Sequence, residues 1–405
     1  MISNTADDLG TGVTFETSEP RPKNWRPETR VLLLSARPKL TGDQRDELRN
    51  CVCGPIDWNF LLASAHRHAL VPLLSRYVNA ADIPLAAPVA AQLADVSRSV
   101  LRQNLALVAE LKRLLPRFEA EKIPVLPHKG PVLASWLYGS LGMRQCADLD
   151  LLVAPEDAAH AHQVLAAVGL RPASSHPAHL LRLHVRFGHE SAFFTPEGLL
   201  VELQWRISSK FYQLPLPLDA MIARAGQTEA GGILVPLLQP EDLLLLLILH
   251  GGKHLWERLI WVTDIHALIT ACPNLDWPAV RTTARRLGAY RLLLLGLSVT
   301  QQLFGTPLPD CEANAISADR HVEHFTEFVL CGLENPQMVD QVGQHTAMLR
   351  LRERNRDRIK YVAGLLLDPR DEDWRLISLP PWSSPLYRLI RLGHAISKSA
   401  SRLWR

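Results

Sequence analysis

Asp148 and Asp150 stand two apart in the segment Ile123 to Val153, IPVLPHKGPVLASWLYGSLGMRQCADLDLLV. Side chains alternate along a strand, so both carboxylates leave one face while Leu149, Leu151 and Val153 enter the core. Carboxylates so close on a buried-looking strand are costly unless a cation neutralises them, and a divalent ion is the natural partner. Glu202, within VELQW, is the third candidate carboxylate. If its strand pairs beside the first, the three can hold two Mg²⁺ ions, or Mn²⁺ in their place, about 3.5–4 Å apart, as in-line phosphoryl transfer requires. Lys129 and Gly130 fall at a strand-to-helix turn ahead of this strand. Glycine there lets the backbone approach a triphosphate, the following helix N-terminus favours anions, and Lys129 neutralises phosphate charge. Arg144, just before Asp148, either reaches phosphate or pairs with a structural acid.

The elements that must position these groups follow from periodicity. Between Lys122 and Trp205 the pattern predicts strands at Ile123 to Leu126, Asp148 to Val153, Ala192 to Thr195 and Leu199 to Trp205. Helices are expected at Val132 to Tyr138 and Pro155 to Val168. Before this unit the period is helical, with Leu61, Leu62, Ala65, Leu70, Leu73 and Leu74, then Leu101, Leu105, Val108, Leu111 and Leu115 as apolar stripes. After Pro240 helices return, the clearest being Glu241 to His254 and Arg258 to Thr270. The expected organisation is a disordered arm over residues 1–28, a helical domain over 29–120, an α/β core over 121–235 and a helical domain over 236–405.

With 405 residues, 47% of them hydrophobic, the chain can bury a large core. A net charge of +3 is far from the field of a dedicated nucleic-acid binder. Six scattered cysteines without paired spacing point to neither a disulfide framework nor structural zinc, which fits a reducing cytoplasm. The N-terminus has no apolar segment of the secretory type, and the longest apolar run, Leu243 to Leu249, is too short to span a bilayer.

Other signals carry less. His250 and His254 share a helix face, but Gly251 stands where a zinc protease has glutamate. Lys253, His254 and Arg258 are candidates for the substrate cleft, touching nucleotide phosphate or acceptor, with Asp264 orienting one of them. The run His176, His179, His184 and His189 matches no compact ligand spacing. Arg350 to Lys360 reads as a solvated helix with charge all round it. Leu386 to Arg405 is amphipathic and basic, and docking on its own protein is favoured over contact with an anionic membrane.

Lys-Gly, a helix ending in Tyr138, Arg144 before D-L-D-L-L-V, and then V-E-L-Q-W together resemble the uncharacterised nucleotidyltransferase family of bacterial genomes, within the DNA polymerase β-like superfamily. The resemblance continues through His250 to Leu259, Trp261 and Asp264-Ile265, and to Asp373-Trp374 with Leu379-Pro380. It implies an α+β fold: a small mixed-sheet core with helices, flanked by all-helical regions. It assigns Lys129 and Gly130 to the phosphate-binding turn, Asp148 and Asp150 to the metal pair and Glu202 to the third carboxylate. Two positions depart from the pattern, Pro131 where the turn usually has Gly or Ser, and Gln204 where His is common. The implied activity is metal-dependent transfer of NMP from an NTP to an acceptor, whether small molecule, peptide or RNA, with release of pyrophosphate. The alternative, motivated by Pro131, is an inactive relative serving as a scaffold in peptide maturation, since members occur beside peptide-modifying genes.

Overall fold

The computed structural model describes residues 25–394 apart from 82, 175–177, 210, 211, 213, 215, 336–340 and 378. Most of the expected N-terminal arm, His176, and the C-terminal stretch beyond 394 lie outside the described residues, as does the His179 side chain. Five helices lead: α1 (Pro27–Ser35), α2 (Gly42–Cys53), α3 (Trp58–Arg67), α4 (Val71–Ala80) and α5 (Ala87–Ala120). The α/β unit follows as β1 (Val125–Pro127), α6 (Gly130–Tyr138), β2 (Asp148–Val153), α7 (Ala158–Ala167), β3 (Arg171–Pro172), α8 (Ala178–Phe187), β4 (Glu190–Phe194) and β5 (Leu200–Gln204). Next come α9 (Leu218–Ala223), β6 (Gly226–Ala230) and β7 (Ile233–Leu237). Helices then continue as α10 (Pro240–Lys253), α11 (Leu259–Ala271), α12 (Trp277–Leu287), α13 (Tyr290–Phe304), α14 (Asp310–Ala318), α15 (Arg320–Glu334), α16 (Gln341–Arg350), α17 (Asn355–Leu367) and α18 (Asp371–Leu376).

The sheet is mixed, in the order β1-β2-β5-β4-β3, and β2 and β5 run parallel with Asp150 opposite Glu202. Leu149, Leu151, Val153, Val201 and Leu203 turn to the other face, where Leu107, Leu111, Leu114 and Phe118 of α5 and Ala158, Ala161 and Leu165 of α7 cover them. A second apolar cluster runs from Val31 in α1 to Tyr361 in α17 and takes in α10, α11 and α13, so the leading and trailing helices share one core. The fold is therefore α+β, a mixed-sheet core with helices packed on it.

Several local expectations needed correction. Of the stripe expected on α5, Val108 and Leu111 are buried and Leu115 packs against the core, but Leu101 and Leu105 are exposed, and Val100, Asn104, Leu107 and Phe118 point inward instead. A leucine-rich helix offers two apolar stripes, and buried Asn104 selects one by donating to the carbonyls of Leu141 and Arg144. Helix α8, strand β3 and the β6-β7 hairpin carried no expectation. The Arg350 to Lys360 run is not one helix but breaks between α16 and α17. Arg352 is buried there, donating to the Tyr212 carbonyl, and Arg354 caps α12 through the Arg285 carbonyl. At the chain's end, Tyr387 is buried and Arg391 pairs with Glu372, so the described part of that stretch docks on the protein. No helix among the described residues is long and apolar enough to cross a membrane.

Two interactions lock the helices to the sheet. Asp264 of α11 accepts from Tyr138 Oη at 2.7 Å at the end of α6, and from Arg144 Nε and Nη2 at 2.9 and 2.8 Å. Both partners are buried, Asp264 fully. At the end of α10, Leu255 and Trp256 adopt left-handed backbone, and the Trp256 N–H bonds back to the Gly251 carbonyl at 2.9 Å. A Cβ on Gly251 or Gly296 would run into the Trp256 indole, and one on Gly252 into Leu292. Glycine at these positions lets Trp256 seat against α10 and α13, which fixes the direction in which Lys253 and His254 leave the helix.

Removing one partner of a buried, doubly hydrogen-bonded ion pair strands the other charge, at a cost of about 3–5 kcal/mol. Arg144→Ala is thus expected to lower the urea unfolding free energy by about that amount. Unchanged stability with lost nucleotide affinity would instead return Arg144 to a phosphate-binding role.

Candidate active site

The β2–β5 register brings the carboxylates together. Asp148, Asp150 and Glu202 offer oxygen atoms that all lie within 4.8 Å of one another, and no other group of potential metal ligands of this kind occurs among the described residues. Asp150 is buried, and Asp148 and Glu202 are half-buried. Glu190 on β4 is a fourth carboxylate on this face, one strand over and opposite Gln204. Gln204 ties the set: its Nε2 donates to Asp150 Oδ1 at 2.8 Å and to Glu202 Oε2 at 2.9 Å, and lies 3.4 Å from Glu190 Oε2. The amide is held in turn by His128, whose Nε2 lies 3.0 Å from Gln204 Oε1.

The Lys129–Gly130 turn closes one side. Gly130 has φ +58°, and a Cβ there would press on the Asp148 carbonyl at 3.2 Å, so glycine alone suits this contact. Pro131 follows in the first turn of α6, where its missing N–H costs no intrahelical bond. Lys129 Nζ lies 3.7 Å from Asp150 Oδ1 and donates to His250 Nδ1 at 3.1 Å.

The charges act strongly on one another. Burial, then the Asp150 carboxylate, pushes Asp148 up to about 6. Burial, then Glu190, Asp150 and Asp148, pushes Glu202 up to about 7. Burial is the largest influence on Asp150 and pushes it up, but Lys129, His128, Arg144 and Lys253 together outweigh it and hold that carboxyl below the ordinary aspartate value. Burial and the nearby cations lower His128 and His254 to about 4 and His250 well below its usual value, so these imidazoles are neutral at pH 7. Hard oxygen donors that retain protons for want of positive charge fit a divalent cation.

A family model described as an uncharacterised nucleotidyltransferase matches residues 54–305, which contain all three carboxylates and the lysine-glycine turn. The chain belongs to the uncharacterised nucleotidyltransferase family. As a family member it is a transferase of nucleotidyl groups, and its acidic triad suits metal-dependent transfer. None of the curated proteins matches the chain.

Within this nucleotidyltransferase the remaining expected site residues spread outward from the triad. Lys253 is half-buried, and its ammonium feels Glu190, Glu202 and Asp150 while donating to the Ile207 carbonyl at 3.4 Å. The His254 ring lies 5.1 Å from Trp261 and 5.5 Å from His250. Arg258 is exposed at the rim, 5.7 Å from the Trp261 ring. Arg144 is engaged by Asp264, so of its two expected roles the structure displays the pairing with an acid, and Asp264 orients Arg144 rather than Lys253, His254 or Arg258. His250 Nδ1 accepts from Lys129 Nζ at 3.1 Å.

His128, Glu190 and Gln204 were not expected as site residues. Gln204 had a local signal, since it lies two residues after Glu202 on the same strand face. Glu190 had none, because only the β4–β5 pairing brings it to the triad.

Asp148 and Glu202, with raised folded pKa values, stabilise the metal-free protein while protonated and lose that contribution as pH rises from about 4 through 7. A divalent ion must displace those protons at low pH and meets bare carboxylates at high pH. The rise in melting temperature caused by Mn²⁺ is therefore expected to be larger at about pH 8 than at about pH 5.5; equal rises would place the ion elsewhere. Gln204→Leu removes the amide that orients two ligands, and calorimetry should find Mn²⁺ bound about 10–100-fold more weakly.

Proposed function

We propose that this protein transfers a nucleoside monophosphate from an NTP to an acceptor and releases pyrophosphate, with Asp148, Asp150 and Glu202 as the catalytic metal ligands. The observation that carries the reading is the convergence of these three carboxylates beside a lysine-glycine turn. The triad would hold Mg²⁺, two ions in the full site, which when bound supplies charge neutralisation at the triphosphate and activation of the acceptor.

The chain's own groups account for the rest. Lys129 presents positive charge to Asp150, and Lys253 to Glu190, Glu202 and Asp150, and triphosphate oxygens would be held by these two ammonium groups. Gly130 permits close backbone approach, and His250 steadies Lys129. Neutral His254 lines the same wall and Arg258 its exposed rim. The acceptor nucleophile attacks the α-phosphorus, the bond to the bridging oxygen breaks, and pyrophosphate departs with the electron pair. A carboxylate of the site takes the nucleophile's proton. All six cysteines are free, which supports a cytoplasmic setting. The scaffold alternative is less well supported: Pro131 is accommodated in the first turn of α6, and the carboxylates are intact.

Asp148→Ala with Asp150→Ala is expected to reduce Mg²⁺-dependent pyrophosphate release by at least about 100-fold in protein that remains folded. The assay uses each of the four NTPs with cell extract as a source of acceptor. Release that is absent from wild type with every NTP would favour the scaffold reading.

A further inference from the structure

A cavity of about 320 Å³ opens beside the carboxylate face, between β4, the end of α8 and the segment from Asp368 to Trp374. Its size is that of a small-ligand site. Glu190 joins it to the active site: the residue lines the cavity, and its Oε2 lies 3.4 Å from the Gln204 amide that also bonds Asp150 and Glu202. The basic wall of Lys129, His250 and Lys253 comes from α10 and the turn before α6, and none of its residues lines the cavity. Lys253 acts on Glu190 and His189 of the lining without itself lining the cavity, so nucleotide phosphates held by Lys129 and Lys253 would leave the cavity itself open to the acceptor.

Its walls are built rather than incidental. Trp374 is buried in a cluster with Leu180, Leu183, Phe187 and Tyr387. His184 bridges the wall to the sheet, contacting Asp371 Oδ1 at 2.9 Å and the Glu190 carbonyl at 2.8 Å. His189, also in the lining, lies 3.4 Å from both Ser209 Oγ and Glu190 Oε2. Three carboxylates, Glu190, Asp368 and Asp371, and one guanidinium, Arg370, line the cavity beside apolar surface from Phe187 and Trp374, with Lys253 acting on Glu190 from outside the lining. Such a lining attracts a cation with an apolar body and repels phosphate-rich ligands.

We infer that this cavity binds the acceptor, and that the acceptor is a small molecule carrying a protonated amine or guanidine beside the hydroxyl or amine that is nucleotidylated. The inference rests on the nucleotidyl-transfer reading. In the transfer, the acceptor's nucleophilic atom bonds to the α-phosphorus, the α-to-β bridging bond breaks onto pyrophosphate, and the proton passes to Glu190, which borders both chambers. Asp368 to Trp374 lies beyond the matched residues 54–305, so this acceptor preference belongs to a segment outside the region that defines the family match.

The test incubates the full chain with Mg²⁺ and each α-labelled NTP. The probes are spermidine, glucosamine and arginine amide, against glucose, glycerol, glucose 6-phosphate and oligouridylate. Binding of a fluorescent NTP is followed in parallel. Label is expected on one or more cationic probes and not on the neutral or anionic ones. Ala173→Trp, which fills the cavity from an exposed position away from the carboxylates, and Asp371→Asn should each reduce labelling at least tenfold with fluorescent-NTP affinity unchanged. Either variant that stays folded suffices for the comparison. Label on oligouridylate or a neutral probe instead, no labelled probe while NTP is bound and hydrolysed, or labelling that survives both variants would overturn the inference alone. No Mg²⁺-dependent NTP binding or turnover, identical in wild type and Asp150→Ala, would overturn the underlying function and the inference with it.

Discussion

Four carboxylates converge on one sheet face, and most of the surrounding architecture answers their mutual repulsion. The parallel register sets Asp150 opposite Glu202, and β4 adds Glu190. Like charges at such separations, partly withdrawn from water, are tolerated only with compensation. Lys129 supplies part of it to Asp150, and Gln204 donates to both Asp150 and Glu202. Burial first, and then the neighbouring carboxylates, raise the proton affinity of Asp148 and Glu202, and a divalent ion would neutralise that residual negative charge. Gly130 belongs to the same solution, since its missing side chain lets the lysine turn sit against the metal strand.

Positioning comes from rigid neighbours rather than from the strands alone. The Tyr138–Asp264–Arg144 cluster joins α6, the loop before β2 and α11 through charged hydrogen bonds in a dry interior. Gly251 of α10 and Gly296 of α13 admit Trp256, which seats at the end of α10 beside Lys253 and His254. Lys129, in the turn before α6, and Lys253, at the end of α10, bring positive charge to the strand-borne carboxylates, and groups set on packed elements hold such geometry better than loops do.

Fold and family establish the class of chemistry, whereas the acceptor depends on the site's own surfaces. The cavity proposed for the acceptor is walled partly by residues 173–192 and partly by Asp368 to Trp374, which packs on α8 through Trp374 beside Tyr387. The core that carries the metal ligands and the segment that completes the adjoining cavity are therefore separate parts of one chain, brought together by apolar burial.

Much of the site was legible because it obeys local rules. Period-2 alternation put Asp148 and Asp150 on one face and exposed Glu202 as an interruption of an apolar strand, and the helical period marked α10 and α11. The inward face of α5 was hidden in part because two leucine stripes were available and buried Asn104 chose between them. The Arg350 to Lys360 run deceived for a related reason: its arginines cap and pair with distant backbone, which charge patterning does not reveal. By itself the sequence determined the strands and helices with a clear period, the paired carboxylates and the glycine that the turn requires, since these depend on side-chain direction and backbone freedom within a few residues. Only tertiary packing decided that Gln204 reaches Asp150, 54 positions away, that Lys129 meets His250, 121 away, and that Arg144 turns to Asp264, 120 away. Those partners are selected by which surfaces are buried together, and no local period encodes that choice.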